Sequence, residues 1–164
     1  MPTPIYSTSG AERTLAASGA YEYSEILKVA EKKLVCLQLA YDAAAIGGYP
    51  VILPLVSYAE NQPSPTDDAW FAMPATDGVP AATSLSGALP AGADYTLAPS
   101  VGLVDVRPLA VKPLAAATAT SNEVRQSIAL DLSSVPGARW LMFAIAEVGV
   151  TATPGAALVT ATVG

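Results

Sequence analysis

The chain has 164 residues, of which 52% are hydrophobic and 13% are charged, and its formal net charge at pH 7 is −6. The length suits a single domain with a sizeable core, and the composition excludes disorder throughout, which requires low hydrophobicity and high charge. The eight lysines and arginines do not cluster along the sequence, so we expect neither nucleic acid nor an anionic membrane surface as a partner.

Residues 1–20 are predicted as an N-terminal arm. They begin with MPTPIYSTSG, which lacks the basic and then apolar pattern of a signal peptide. No run in the chain approaches the roughly 18 uncharged apolar residues of a membrane helix without Pro or Gly, so we expect a soluble protein. Gly10 and Gly19 interrupt the stretch closest to a helix, and the apolar positions that follow favour a strand: Tyr21, Tyr23, Ile26 and Val29.

Alternation of apolar residues predicts the first long strand within KKLVCLQLAYD. One of its faces carries Lys33, Val35, Leu37, Leu39 and Tyr41. Cys36, the only cysteine, lies on the other face and is predicted to be a buried, inert thiol. The next run, YPVILPLVSYAE, is predicted to be the neighbouring strand after a turn at Gly47-Gly48. Pro54 cannot donate a ladder hydrogen bond, which predicts an edge or a bulge at that point.

Residues 75–122 are rich in Ala, Pro, Ser, Thr and Gly, and only VGLVDVRPLAV within them has the character of a strand. Structureless connections longer than about 12–15 residues are uncommon in compact domains unless they are functional or disordered. Two interpretations stay open for this segment. It is either an extended arm that lies across a partner subunit or a long loop that folds against its own domain.

Three further strands are predicted towards the end of the chain, in EVRQSIALDL, RWLMFAIAEV and ALVTATV, with SSVPGA as the turn between the first two. In the middle strand Leu141, Phe143 and Ile145 are predicted to face the core. Its opposite face carries no polar residue: Trp140, Met142, Ala144 and Ala146. A strand face exposed to water is expected to carry polar residues. We therefore predict that this face contacts a second subunit or a covering arm.

The residues available for chemistry are few. Without histidine and with a single cysteine, the chain has no Ser–His or Cys–His pair, no internal disulfide and no cysteine-based metal cluster. We predict no catalytic site, no metal and no cofactor. Asp67, Asp68 and Asp77 flank an aromatic pair, Trp70-Phe71, and turn chemistry is the preferred interpretation of these carboxylates. A calcium loop and a carbohydrate contact remain alternatives.

The whole pattern predicts one all-β domain over residues 1–164, a single antiparallel, jelly-roll-like β-sandwich of about eight strands with a long Ala/Pro/Thr-rich arm or loop. The stretches YEYSEILKV, KLVCLQLAYDAAAIGGYPVILPLVS, DDAWF, TDG and ARWLMFAIAEVGVTATPGAALVTATV resemble the small β-sandwich virion proteins of tailed bacteriophages. The resemblance implies a non-enzymatic head decoration or cement protein that is assembled in the host cytoplasm. It also implies a homo-oligomer, most often a trimer, bound to the major capsid protein or another virion protein.

Other classes of function stay open beside this one. A tail or adsorption accessory protein would draw on the same sandwich design. A carbohydrate-binding module would also be a β-sandwich, with exposed coplanar aromatic rings chosen from Tyr49, Tyr58, Trp70 and Tyr95. An enzyme based on Asp and Glu alone is the third and least favoured class.

Overall fold

The computed structural model describes residues 1–16, 21–42, 49–73, 109–110, 123–148 and 153–164. These residues form eleven β-strands and one turn of 3-10 helix, Leu132–Ser134. The strands are β1 Thr3–Tyr6, β2 Arg13–Thr14, β3 Glu22–Tyr23, β4 Leu27–Lys28, β5 Leu34–Asp42, β6 Tyr49–Ser57, β7 Phe71–Ala72, β8 Leu109–Ala110, β9 Glu123–Asp131, β10 Trp140–Val148 and β11 Ala156–Val163. Within the described ranges, no helix has the length and apolar character to cross a membrane.

The strands form two antiparallel sheets that pack face to face. The first sheet has the order β1-β11-β5-β9, and β2 also pairs with β11. The second sheet has the order β3-β10-β6-β7, and β4 and β8 extend it by pairing with β10 and β6. The predicted all-β sandwich is therefore confirmed.

The order of the strands is that of a jelly roll. Eight of the strands form four nested pairs: β1 with β11, β3 with β10, β5 with β9, and β6 with β7. The outermost pair joins the first and last of these strands, and the innermost pair joins two consecutive ones. Such nested pairs arise when one long antiparallel hairpin is rolled up into two sheets. The short strands β2, β4 and β8 are additions to this plan.

The main core lies between the two sheets, where the alternation of the long strands places their apolar residues. Four side chains of β5 are buried there: Val35, Leu37, Leu39 and Tyr41. Leu141, Phe143 and Ile145 of β10 face them from the second sheet and are fully buried, as predicted. Burial of each such side chain contributes about 1.5–3 kcal/mol.

One predicted pairing is wrong. β6 follows β5 in the chain, yet it lies in the opposite sheet and pairs over its whole length with β10. Alternation within a strand says which residues share a face, but it carries no information about which strand lies alongside. In a rolled hairpin, consecutive strands alternate between sheets except at its tip, where β6 pairs with β7, so β5 and β6 are not neighbours in space.

The prediction for Pro54 is met only in part, because β6 pairs with strands on both sides and its register with β10 runs without a bulge through Pro54. Its carbonyl accepts the N–H of Met73 at 3.0 Å, on the side of β6 away from β10. The N–H and C=O of one residue point to the same side of a strand, so the missing N–H of Pro54 also faces that side. There β7 pairs only with Leu55-Val56 and β8 only with Val51-Ile52, which leaves a gap in the ladder at Pro54.

The N-terminal residues and the cysteine differ from the predictions. Of the predicted arm, residues 3–6 and 13–14 form β1 and β2, and both strands pair with β11. Cys36 is half-buried rather than buried, because it lies on the outer face of the first sheet, opposite the core-facing residues of β5. Lys33 is exposed and precedes the strand, so it does not share the core face.

Most of the predicted arm or loop, residues 75–122, lies outside the described residues. Its described part is β8, Leu109–Ala110, within the run predicted as a strand. The choice between an arm across a partner and a loop against the same domain therefore stays a prediction.

Candidate functional site

A buried glutamate lies in the core among apolar side chains. Glu147 is in phase with the core-facing residues of β10 and is 1% exposed. Its Oε1 accepts a short hydrogen bond from the hydroxyl of Tyr41 on β5, and its Oε2 accepts the N–H of Gly155 at 2.8 Å. Because β10 and β5 belong to different sheets, this carboxyl group joins the two sheets through the core.

Gly155 packs so closely against this pair that a side chain has no room. A Cβ at this position would lie 2.5 Å from the carbonyl oxygen of Asp42, 2.8 Å from Tyr41 Cε2 and 3.1 Å from Glu147 Oε1. Its own carbonyl accepts the N–H of Leu15 at 2.9 Å. The glycine therefore lets the chain entering β11 approach the buried carboxyl group.

A second glutamate repeats the arrangement near the surface. Glu22 of β3 accepts the hydroxyl of Tyr6 at 2.5 Å, the Nη2 of Arg13 at 2.6 Å and the backbone N–H of Ala16 at 3.0 Å. The guanidinium of Arg13 also lies 4.8 Å from the centre of the Tyr6 ring. Glu22 thereby ties the N-terminal strands of the first sheet to the second sheet.

The two carboxyl groups lie near the same end of the sandwich. Glu22 is in register with Ile145, which precedes Glu147 by two positions on the same face of β10. Two neighbouring carboxyl groups could form an acid–base pair in an enzyme. Here both oxygens of each group already accept protein donors, and Glu147 has no access to solvent. The arrangement binds the two sheets together.

The raised pKa values of Tyr6 and Tyr41 lead us to predict that the protein loses stability in alkali. Burial first, and then the hydrogen bonds to Glu22 and Glu147, raise the pKa of Tyr6 and of Tyr41 above the ordinary value of 10.0. Because the folded state favours the neutral phenols, their contribution to the free energy of unfolding is complete below pH 10 and is lost as the pH rises above it. We expect the urea midpoint to fall steadily as the pH rises above about 10.

The control is the double variant Tyr6→Phe/Tyr41→Phe. It should be less stable at pH 8, because the carboxyl groups lose their donors, but its midpoint should change much less in alkali. If the two proteins lose stability in parallel above pH 9, other groups cause the alkaline transition.

The face predicted as an interface is buried within the chain. Met142, Ala144 and Ala146 are fully buried, and Trp140 is half-buried. The first two form a second apolar cluster with Leu53, Leu55 and Trp70, and Trp140 packs against it together with Tyr21, Tyr23, Ile26 and Ala72. Residues of the same chain therefore account for the apolar character of this face, and a second subunit is not needed to explain it.

The tryptophans have structural partners. Trp70 is fully buried, and its Nε1 donates to the carbonyl of Ser64 at 2.8 Å, so it covers the second sheet rather than facing solvent. The Nε1 of Trp140 donates to the carbonyl of Ala59 at 3.0 Å. Of the candidate sugar-binding rings, Tyr95 and the side chain of Tyr49 lie outside the described part of the structure. Tyr58 is 44% exposed, but it meets Phe71 with ring planes at 61°, which does not make a flat platform.

Asp67 and Asp68 lie in the loop between β6 and β7, and Asp67 has the predicted turn role. Asp67 Oδ2 accepts the N–H of Ser64 at 2.7 Å, and the N–H of Asp67 donates to the carbonyl of Ser64 at 3.1 Å. Asp68 is exposed, and Asp77 lies outside the described residues. Within the described ranges, no three acidic or cysteine side chains come together in a group that could hold a metal ion.

The outer face of the first sheet is formed by the side chains of β5, β9 and β11 that point away from the core. It carries a shallow depression of about 410 Å³, lined by Gln38, Leu39, Ala40, Arg125, Ser127, Leu158 and Thr160. Thr160 Oγ1 lies 3.5 Å from Gln38 Oε1. Arg125 is the one charged residue among those that line the depression.

Sequence reasoning missed the carboxyl groups and singled out other residues. The signal for Glu147 was present, since it is the only acidic residue after Asp131 and it shares the period of the core-facing residues of β10. Nothing in the local pattern indicated Glu22, Tyr6 or Arg13, because they meet only when β1, β2 and β3 come together. Comparison of the chain with protein-family models, with curated proteins and with solved structures finds no match.

Proposed function

We propose that this protein is a non-enzymatic structural protein of a virion, a head decoration or cement protein that binds the capsid surface and stabilises it. The observation that carries the proposal is the engagement of two carboxyl groups by protein donors, Glu147 in the core and Glu22 nearer the surface. They are consumed in holding the sheets of a jelly roll together, so the described fold offers its surfaces rather than a reactive centre.

Two further arguments support this proposal. Viral capsid proteins are among the classes that use the jelly roll, together with lectins and cupins. Fold alone does not assign function, but the sequence pattern resembles small virion proteins of tailed bacteriophages. A lectin role is less favoured, since Trp70 is buried and the exposed ring of Tyr58 stands at an angle to Phe71. We also propose that the protein is a homo-oligomer, in the form of a trimer, whose partner is the major capsid protein or another virion protein.

Capsid shells that lack this protein provide the test. The purified protein should sediment with the shells, saturate at a fixed number of copies per shell and raise the temperature at which the shells come apart. Light scattering on the free protein should give three times the mass of one chain. Association that does not saturate, or that leaves the disruption temperature unchanged, contradicts the cement function. Selective binding on a glycan array in its place would favour the carbohydrate-binding module.

A further inference from the structure

The end of the sandwich opposite Glu22 and Glu147 brings together basic residues from separate parts of the sequence. Lys28 ends β4, Lys32 and Lys33 lie between β4 and β5, and Arg139 precedes β10. The backbone joins these segments, because the N–H of Val29 donates to the carbonyl of Arg139 at 2.8 Å. We call these four residues the basic end. They are half of the eight lysines and arginines of the chain, and all four are exposed.

The charges of the basic end are not neutralised by salt bridges within the described residues. The ion pair given by the described residues is Arg13–Glu22, and it lies at the opposite end of the sandwich. Glu31 is the acidic residue nearest to the lysines in sequence, and Asp131 is engaged by the N–H of Ser133 at 2.8 Å. Lys28 contacts an aromatic ring instead, with its Nζ 6.0 Å from the centre of Trp140. In a chain of net charge −6, this is a local reversal of sign.

An apolar depression lies between these charges. It has a volume of about 490 Å³ and is lined by Val29, Glu31, Lys32, Lys33, Leu132, Ser133, Val135, Pro136, Gly137 and Ala138. One exposed aromatic ring adjoins it and contacts a second exposed ring. Tyr58 Cδ1 lies 4.0 Å from where a Cβ would stand on Gly137, and Tyr58 packs edge-on against Phe71, which is 49% exposed, with 6.1 Å between ring centres.

We propose that the basic end docks an acidic segment of a partner protein that also carries apolar side chains. Aromatic residues at an apolar depression are typical of the residues that dominate binding energy at protein interfaces. Unpaired cations around them select a partner of opposite charge and speed the encounter. Loops at the end of a rigid sandwich are a usual place for such a site. A nucleic acid fits less well, because the apolar part of the depression takes apolar side chains of a peptide but offers nothing to a phosphate backbone.

This inference rests on the proposed function for the identity of the partner, which would be a virion protein, but the surface can be tested alone. The probe is a soluble peptide in which three carboxylates alternate with phenylalanine and leucine, and its control is the same peptide with the carboxylates as amides. Titration into isotopically labelled protein should shift the backbone resonances of Lys32, Lys33, Ser133 and Gly137. Binding should weaken with added salt, and the amide peptide should bind about tenfold more weakly or not at all.

Matched variants separate local charge from net charge. Lys32→Gln/Lys33→Gln and Gln38→Glu/Thr162→Glu each lower the net charge by two, the first by removing positive charges and the second by adding negative ones on the outer face of the first sheet. The lysine variant should lose about tenfold in affinity for the acidic peptide, and the control should keep it. Resonance shifts elsewhere, equal affinity of the lysine variant, or tighter binding of a single-stranded oligonucleotide would overturn the proposal. If the lysine variant still binds capsid shells, the basic end is not the docking surface, but the proposed capsid function still stands.

Discussion

Replacing Ala144 with glutamate is expected to prevent the chain from folding. Ala144 is fully buried in the second apolar cluster, on the outer face of β10, where Leu53, Leu55 and Trp70 leave no path to water. A glutamate there would be a buried charge without a partner, which costs several kcal/mol. Small domains have a total stability of about 5–15 kcal/mol, so a single such charge removes much or all of it.

The measurement is the far-UV circular dichroism of the purified variant and its urea transition. Ala129→Glu is the matched control, because it introduces the same side chain into a long strand, β9, at an exposed position on the outer face of the first sheet. This control should retain the sandwich with a midpoint close to that of the wild type. If Ala144→Glu keeps a cooperative transition and loses only its oligomeric state, the cluster is not closed within the chain and a subunit covers the face.

Replacing Glu147 with leucine is the second large expected effect. The leucine removes both acceptors from the core and leaves the hydroxyl of Tyr41 and the N–H of Gly155 without partners. Each buried group left unsatisfied costs about 1–3 kcal/mol, although leucine itself is readily buried. We therefore expect a clear fall in the free energy of unfolding. Glu25→Leu is the control, at an exposed glutamate between β3 and β4, and it is expected to change the free energy of unfolding little.

A double-mutant cycle isolates the pair. Tyr41→Phe in the Glu147→Leu background removes the orphaned hydroxyl, so the double variant should be more stable than the two single effects added together predict. Urea unfolding of the four proteins at pH 7 gives the coupling free energy. A coupling free energy of zero would mean that Glu147 and Tyr41 are held by their surroundings and not by each other.

Local patterning was enough to predict the long strands and the faces they present. β5, β9, β10 and β11 lie where apolar and polar residues alternate, and the core-facing residues of β5 and β10 are those that the period of two selects. This succeeds because alternation follows from the geometry of each strand by itself. The missing donor of Pro54 was also evident from the sequence, but the predicted edge or bulge is not observed, because the pairing on either side of β6 depends on other strands.

Pairing between distant segments was decided only by the tertiary structure. β6 crosses to the sheet opposite β5, and β1 and β2 join β11 from the other terminus of the chain, because ladder hydrogen bonds can be made with any strand that is brought alongside. The same non-local contacts create the sites. Glu147 meets Tyr41 across 106 positions, and the basic end gathers residues from two distant segments of the chain. The sequence by itself determined which faces are apolar, and only the rolled sandwich decided which groups meet across them.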